Sequence, residues 1–248
     1  MKITIRTGMH YTFLTTLALT IILLTGCGSG NSEDNSSPLP PATGSASLAI
    51  TPTFQQTTVW CWAAAAEMVL RFYNLPNLNP VGNYQCGIVA AWFVNTPCAF
   101  DCSLCVAPIG VMSNEYTLIT QYGLLANNFG IPSRVLSASL TFRPLAAEEI
   151  KAEIDARRPI IIGISPGNNF AIPNASAHVA VLIGYDFDSP THTVIVNDPF
   201  PFSFVPYLQF PHPYLSNGGV QLRQGQYRLP LASLYGALAW GNTIFRIQ

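Results

Sequence analysis

Residues 55–68 read QQTTVWCWAAAAEM, placing one cysteine, Cys61, between two tryptophans and directly ahead of four alanines. From Trp62 the run AAAAEMVLRFYN is built of strong helix formers, and it stops at Asn74, before Leu75 and Pro76, where a C-terminal cap is expected. Cys61 therefore sits at the start of a helix. The unsatisfied N–H groups and the helix dipole there favour an anionic sulfur. Two readings follow: a small apolar packer beside Trp60 and Trp62, or a nucleophile. Gln55, six residues upstream, is an uncharged amide donor of the kind that stabilises an oxyanion.

The compartment bears on that choice. The chain opens with Lys2 and Arg6, then an apolar run from Phe13 to Leu24, which is the layout of a secretory signal and short for a membrane span of about 20 residues. Leu24-Thr25-Gly26-Cys27 resembles a bacterial lipobox, which implies cleavage after residue 26 and lipidation of Cys27. Residues 27–52 are rich in Gly, Ser, Asn and Pro, and they read as a flexible tether spanning roughly 28 Å. Residues 53–248 are then one globular domain, and the 49% hydrophobic content of the chain suffices for a sizeable core. After cleavage nine basic and twelve acidic side chains remain. No basic cluster is present to neutralise phosphates, so a nucleic-acid partner is not expected.

Six cysteines occur, at 27, 61, 86, 98, 102 and 105. With Cys27 assigned to lipid and Cys61 set aside, Cys86, Cys98, Cys102 and Cys105 form an even group in an exported protein, which reads as two disulfides of open connectivity. A four-cysteine zinc site is the rival reading. Cys61 is the unpaired thiol.

A thiolate nucleophile needs a base, and the mature chain has only His178, His192 and His212. His178 opens HVAVLIGYD, and the next β-branched run is THTVIVNDP. A hairpin with its turn at DFDSP sets His178 directly opposite Asp198, on one face, with Asn197 on the other. His192 falls near the turn, about 20 Å away along the strand. His212, in FPHPY, reads as a loop residue.

Elsewhere the pattern predicts a second helix opening at Asn79-Pro80, a loop over NTPCAFDCSLCVAPIG and a third helix in SNEYTLITQYG closed by Gly123. It further predicts a strand at SRVLSASL and an amphipathic helix in PLAAEEIKAEIDARR, then the β-branched runs PIIIGIS, AHVAVLIGYD, THTVIVNDP, QYRLPL and GNTIFRIQ. Helices first and strands afterwards give an α+β fold, with an N-terminal helical half packed on a C-terminal antiparallel sheet.

With Gln55 six residues before Cys61, Trp62 directly after it, the helix that follows, and His178 and Asp198 on two later strands, the sequence resembles the papain-like cysteine peptidases. It is most similar to the bacterial branch of bacteriocin-leader-processing, C39-like peptidases and secreted effector peptidases, through WCWAA, the cysteine-rich segment, RPIIIGI and HVAVLIGYD followed by NDP. The resemblance covers about residues 50–200. It implies a cysteine peptidase in which Cys61 is the nucleophile, His178 the base, Asp198 its orienting group and Gln55 the oxyanion donor, with no cofactor. Papain has a cysteine three residues before the nucleophile, where this chain has Thr58, and an orienting asparagine where this chain has Asp198. The expected protein is a monomer at the bacterial cell envelope, anchored by lipid and acting on protein or peptide. Acyl transfer or amide hydrolysis on non-protein substrates, and a silent binding lipoprotein, are the other readings of the same residues.

Overall fold

The structure, a computed structural model, describes residues 42–93, 96–105, 112–165, 178–202 and 212–248. Its first element is a strand, β1 (Ser45–Ser47), paired antiparallel with β4 (His178–Asp186) in the register Ser45 to Asp186 and Ser47 to Gly184. Residues 42–52, assigned from composition to the tether, thus lie within the folded unit Pro40–Gln248. Three backbone pairings outweigh a polar composition that carries no strand signal of its own. The signal segment 1–26 and Cys27 lie outside the described residues.

Helix α1 (Cys61–Phe72) starts at the predicted cysteine. Asn74 takes a left-handed φ of 57°, and the Leu75 N–H reaches back to the Leu70 carbonyl at 2.9 Å, closing the helix as the sequence indicates. Residues Trp62 to Leu70 are all buried, Glu67 included, because α1 is sandwiched between β4 on one side and the helices α2 (Tyr84–Phe93) and α4 (Met112–Asn128) on the other. The small alanine side chains permit that close approach.

Three helical expectations are corrected. The second helix opens at Tyr84, not at Asn79-Pro80, since Asn79 instead uses its side-chain oxygen to accept from the N–H groups of Val81 and Asn83 in a turn. The cysteine-rich segment is not a plain loop: it contains helix α3 (Thr96–Phe100) and a 3₁₀ turn at Cys102–Leu104, whose Asp101 side chain accepts from the Ser103 N–H at 2.9 Å. Helix α4 runs through Gly123 to Asn128. A Cβ at Gly123 would fall 1.9 Å from the Arg134 carbonyl oxygen, so this glycine serves close backbone approach and not termination. The strand expected over SRVLSASL shrinks to β2 (Ser139–Thr141).

Helix α5 (Ala147–Asp155) has its N-terminus tied by Glu149, which accepts from the Ala146 N–H at 2.9 Å. The remaining elements are β3 (Ile160–Ile164), β5 (Thr193–Asn197), β6 (Val220–Arg223), β7 (Gln226–Pro230), α6 (Leu231–Tyr235) and β8 (Asn242–Phe245). Strands run in the order β2-β8-β3-β4-β5-β7-β6, with every pairing antiparallel. The expected α+β architecture holds.

Strand β4 is central and buried from His178 to Tyr185. Along one edge β3 covers its first half, His178 to Leu182, and β1 covers its second, Gly184 to Asp186. A β-bulge between Leu182 and Gly184 shifts the register against β5. At Gly184 a Cβ would lie 2.8 Å from the Ser47 Cβ, so glycine is what lets β1 close on the bulge.

Candidate active site

The sulfur of Cys61 stands at the N-terminus of α1, partly exposed, between Trp60 and Trp62, which are both buried. Trp60 provides no side-chain cap, so the first-turn N–H groups are not satisfied by it. Because α1 packs on β4, this helix end meets the first residue of that strand, His178.

His178 is 3% exposed, and its Nε2 is 2.7 Å from Asp198 Oδ1. The thiol of Cys61 is its other hydrogen-bonding neighbour. With Nε2 committed to Asp198, Nδ1 is the nitrogen left for the sulfur. Burial alone would lower the His178 pKa. The charge of Asp198 and the hydrogen bonds to Asp198 and Cys61 outweigh it and raise the value to about 10. The ring is walled edge-on by Phe200 and Phe202, at centroid distances of 6.2 and 6.4 Å.

The expected register is corrected here. Val181 pairs with Asn197 and Leu182 with Val196, so the hairpin is offset by two residues from the pairing that puts His178 directly opposite Asp198. A shift of two preserves the face, and the ion pair closes diagonally. Asn197 faces away, as expected. It is fully buried, donating to the Ile50 carbonyl at 2.9 Å and accepting from Gln226 Nε2 at 2.7 Å.

Asp198 is completely buried and receives two donors besides the imidazole. The Phe200 N–H reaches Oδ1 and the Tyr214 hydroxyl reaches Oδ2, each at 2.7 Å. Burial and the Asp198 charge hold the Tyr214 hydroxyl well above the ordinary phenol range, so it stays a donor. Its ring stacks on Tyr227 at 4.5 Å and 3°. His212, taken from sequence as a loop residue, joins this aromatic cluster, with its Nε2 3.1 Å from the Tyr227 hydroxyl. His192 lies at the other end of the hairpin, against Phe187.

Gln55 is buried, and its main-chain N–H donates to the Pro199 carbonyl at 2.9 Å, which moors it beside the Asp198 turn. Its Nε2 donates one hydrogen to Thr57 O at 2.7 Å, leaving the second amide hydrogen for another acceptor. Gln85 grips the backbone on both sides of it, donating to Phe54 O at 2.8 Å and accepting from the Gln56 N–H at 3.1 Å. Gln85 is in turn held by Glu67 of α1 at 3.0 Å. Tyr214 and Gln85 were not singled out from sequence. Neither belongs to a local motif, and both act by packing in from elements remote in the chain.

The four remaining cysteines of the domain are paired Cys86–Cys102 and Cys98–Cys105, with Cα separations of 5.6 and 4.5 Å, so the structure assigns the connectivity left open by sequence and makes the zinc reading unnecessary. Among the described residues Cys61 is the free cysteine.

A family model described as "Peptidase_C39 like family" matches residues 47–207. Among solved structures, that of a double glycine motif protease from an AMS/PCAT transporter, in complex with its leader peptide, is 16% identical with a TM-score of 0.41, over 82% of this chain and 94% of that one. Digestive procathepsin L 3 of the Tenebrio molitor larval midgut is 15% identical with a TM-score of 0.43, over 84% and 71%. Likenesses at this level carry no weight for activity. No curated protein matches significantly.

Proposed function

The chain belongs to the Peptidase_C39-like family and is a cysteine-type peptidase, and from that premise we propose that it hydrolyses peptide bonds through a Cys61-His178-Asp198 triad with Gln55 as oxyanion donor. The observation that carries this reading is His178, buried between a partly exposed thiol and a carboxylate 2.7 Å away.

In the first half-reaction the Cys61 sulfur adds to the scissile carbonyl carbon. The oxyanion so formed accepts from the Cys61 backbone N–H and the uncommitted amide hydrogen of Gln55. Collapse of this intermediate breaks the C–N bond, and the leaving amine takes a proton from the His178 imidazolium. Water then attacks the thioester with His178 as general base, releasing the acid and regenerating the thiol. Asp198 fixes the ring orientation, and Tyr214 and the Phe200 N–H fix Asp198.

The lipobox at residues 24–27 supports a further element of the reading, export to the bacterial cell envelope and anchoring through lipid on Cys27. The substrate is then a protein or peptide met outside the cytoplasm. The deciding experiment is covalent labelling by a thiol-directed epoxide, followed by product analysis on protein substrates and on peptidoglycan. Labelling confined to Cys61 with new peptide termini is expected. Cleavage of peptidoglycan alone, or failure of Cys61 to label, overturns the reading.

A further inference from the structure

Buried side-chain polar atoms without a hydrogen-bond partner are costly and few in folded proteins. Among the described residues there are four, and they belong to three residues: Gln55 Oε1, Trp62 Nε1 and both carboxyl oxygens of Glu115. Trp62 follows the nucleophile, and Gln55 is moored beside Asp198. Glu115 comes from α4, which packs on α1, and its side chain lies near enough to Cys61 and His178 for both charges to act on it. Among the described residues, the unpartnered atoms thus belong to side chains that neighbour Cys61 in sequence, sit beside Asp198, or feel the charges of Cys61 and His178.

Glu115 stands out because it is a whole carboxyl group, 1% exposed, with neither oxygen bonded. The two other buried glutamates among the described residues are both paired: Glu67 with Arg71 and Gln85, and Glu153 with Arg158 through both oxygens. A carboxyl kept for packing or stability would be expected to have such partners. Burial first, then the negative charge of Cys61, opposed by His178, raises its pKa well above the usual carboxylate range and so favours the protonated form.

We propose that Glu115 is a substrate-recognition residue, accepting a cationic side chain of the peptide next to the scissile bond. This inference rests on the peptidase reading above. Two unpartnered oxygens in one carboxylate match the parallel N–H pair of a guanidinium. The charges nearby favour a cation as well: when Glu115 ionises, it, the Cys61 thiolate and Asp198 face one imidazolium, and an incoming cation offsets that negative excess. The carboxyl proton passes to solvent as the cation takes its place.

The test uses wild-type protein and fluorogenic peptide pools degenerate at every position but one, which is fixed as arginine, its neutral isostere citrulline, or alanine. At one position flanking the cleaved bond, arginine should exceed citrulline at least tenfold in kcat/KM. Glu115→Gln should collapse that ratio to within about threefold. Glu115→Met serves the same purpose without a buried polar group, and it should melt no lower than wild type. Equal use of arginine and citrulline at all positions overturns the inference, as does a preference that survives in either variant. Turnover without discrimination sinks this inference alone, whereas absence of turnover of every pool sinks the peptidase reading with it.

Discussion

His178 and Asp198 are bonded at 2.7 Å although they are not cross-strand partners: the β4–β5 register places Asp198 two residues away from the position opposite His178. The pair is made by side chains crossing diagonally between strands, and it is held from behind by Tyr214 and the Phe200 N–H.

Cys61 should alkylate at pH 6 much faster than a free thiol, because the imidazolium beside it is present throughout that range. His178→Ala should remove this reactivity and lower kcat/KM by at least about 10³-fold. Iodoacetamide kinetics across pH 5–9 check both. A wild-type rate no greater than that of free cysteine at pH 6 would identify Cys61 as a packer.

The proton on His178 also bears on stability. Its folded pKa of about 10 exceeds the ordinary value of 6.5, so the stabilisation is full below about pH 6.5 and is lost as pH rises through about 10. Melting temperatures of wild type and His178→Gln should therefore converge over that window. A difference that stays constant from pH 6 to 10 contradicts the buried ion pair.

Asp198→Ala should cut kcat by about 10²–10⁴-fold while leaving Cys61 modifiable. Asn197→Ala should act oppositely, costing about 1–3 kcal/mol of stability through the Ile50 and Gln226 bonds while sparing kcat/KM to within a few-fold in folded protein. Denaturant titration beside steady-state kinetics separates the two. The reverse ranking would mean that the asparagine is the orienting group.

Tyr214→Phe keeps the stack on Tyr227 and removes only the bond to Asp198. It should lower stability by about 1.5–3 kcal/mol and reduce kcat with little change in KM. A variant affecting KM alone would remove Tyr214 from the support of the triad.

Peptide mapping of unreduced protein should recover Cys86–Cys102 and Cys98–Cys105, with Cys61 alone alkylated before denaturation. Cys27→Ala in the producing cell should abolish incorporation of labelled palmitate. Retained incorporation would place the lipid elsewhere.

Much of this site was legible because its parts depend on local rules. A cysteine at a helix start and a histidine at the start of an apolar strand can each be read from a dozen residues. The shared face of His178 and Asp198 was readable, but the route to it was not: beside the turn Asp186 pairs with Thr193, three residues off the expected register, and the bulge at Leu182 and Gly184 takes back one, leaving the offset of two that keeps both side chains on one face. Gly123 misled because glycine ends helices and also permits close approach, and only Arg134, brought near by the fold, decides between them. Tyr214, Gln85 and Glu115 were out of reach for the same reason: each arrives from a separate element and has no neighbouring residues that announce it.

Strand β1 enters along the end of β4 that carries Asp186, eight residues and about 26 Å from the imidazole at His178. Substitutions in β1 therefore act on the sheet at a distance from the reacting atoms, so a loss of folding caused there separates from a loss of turnover caused at His178.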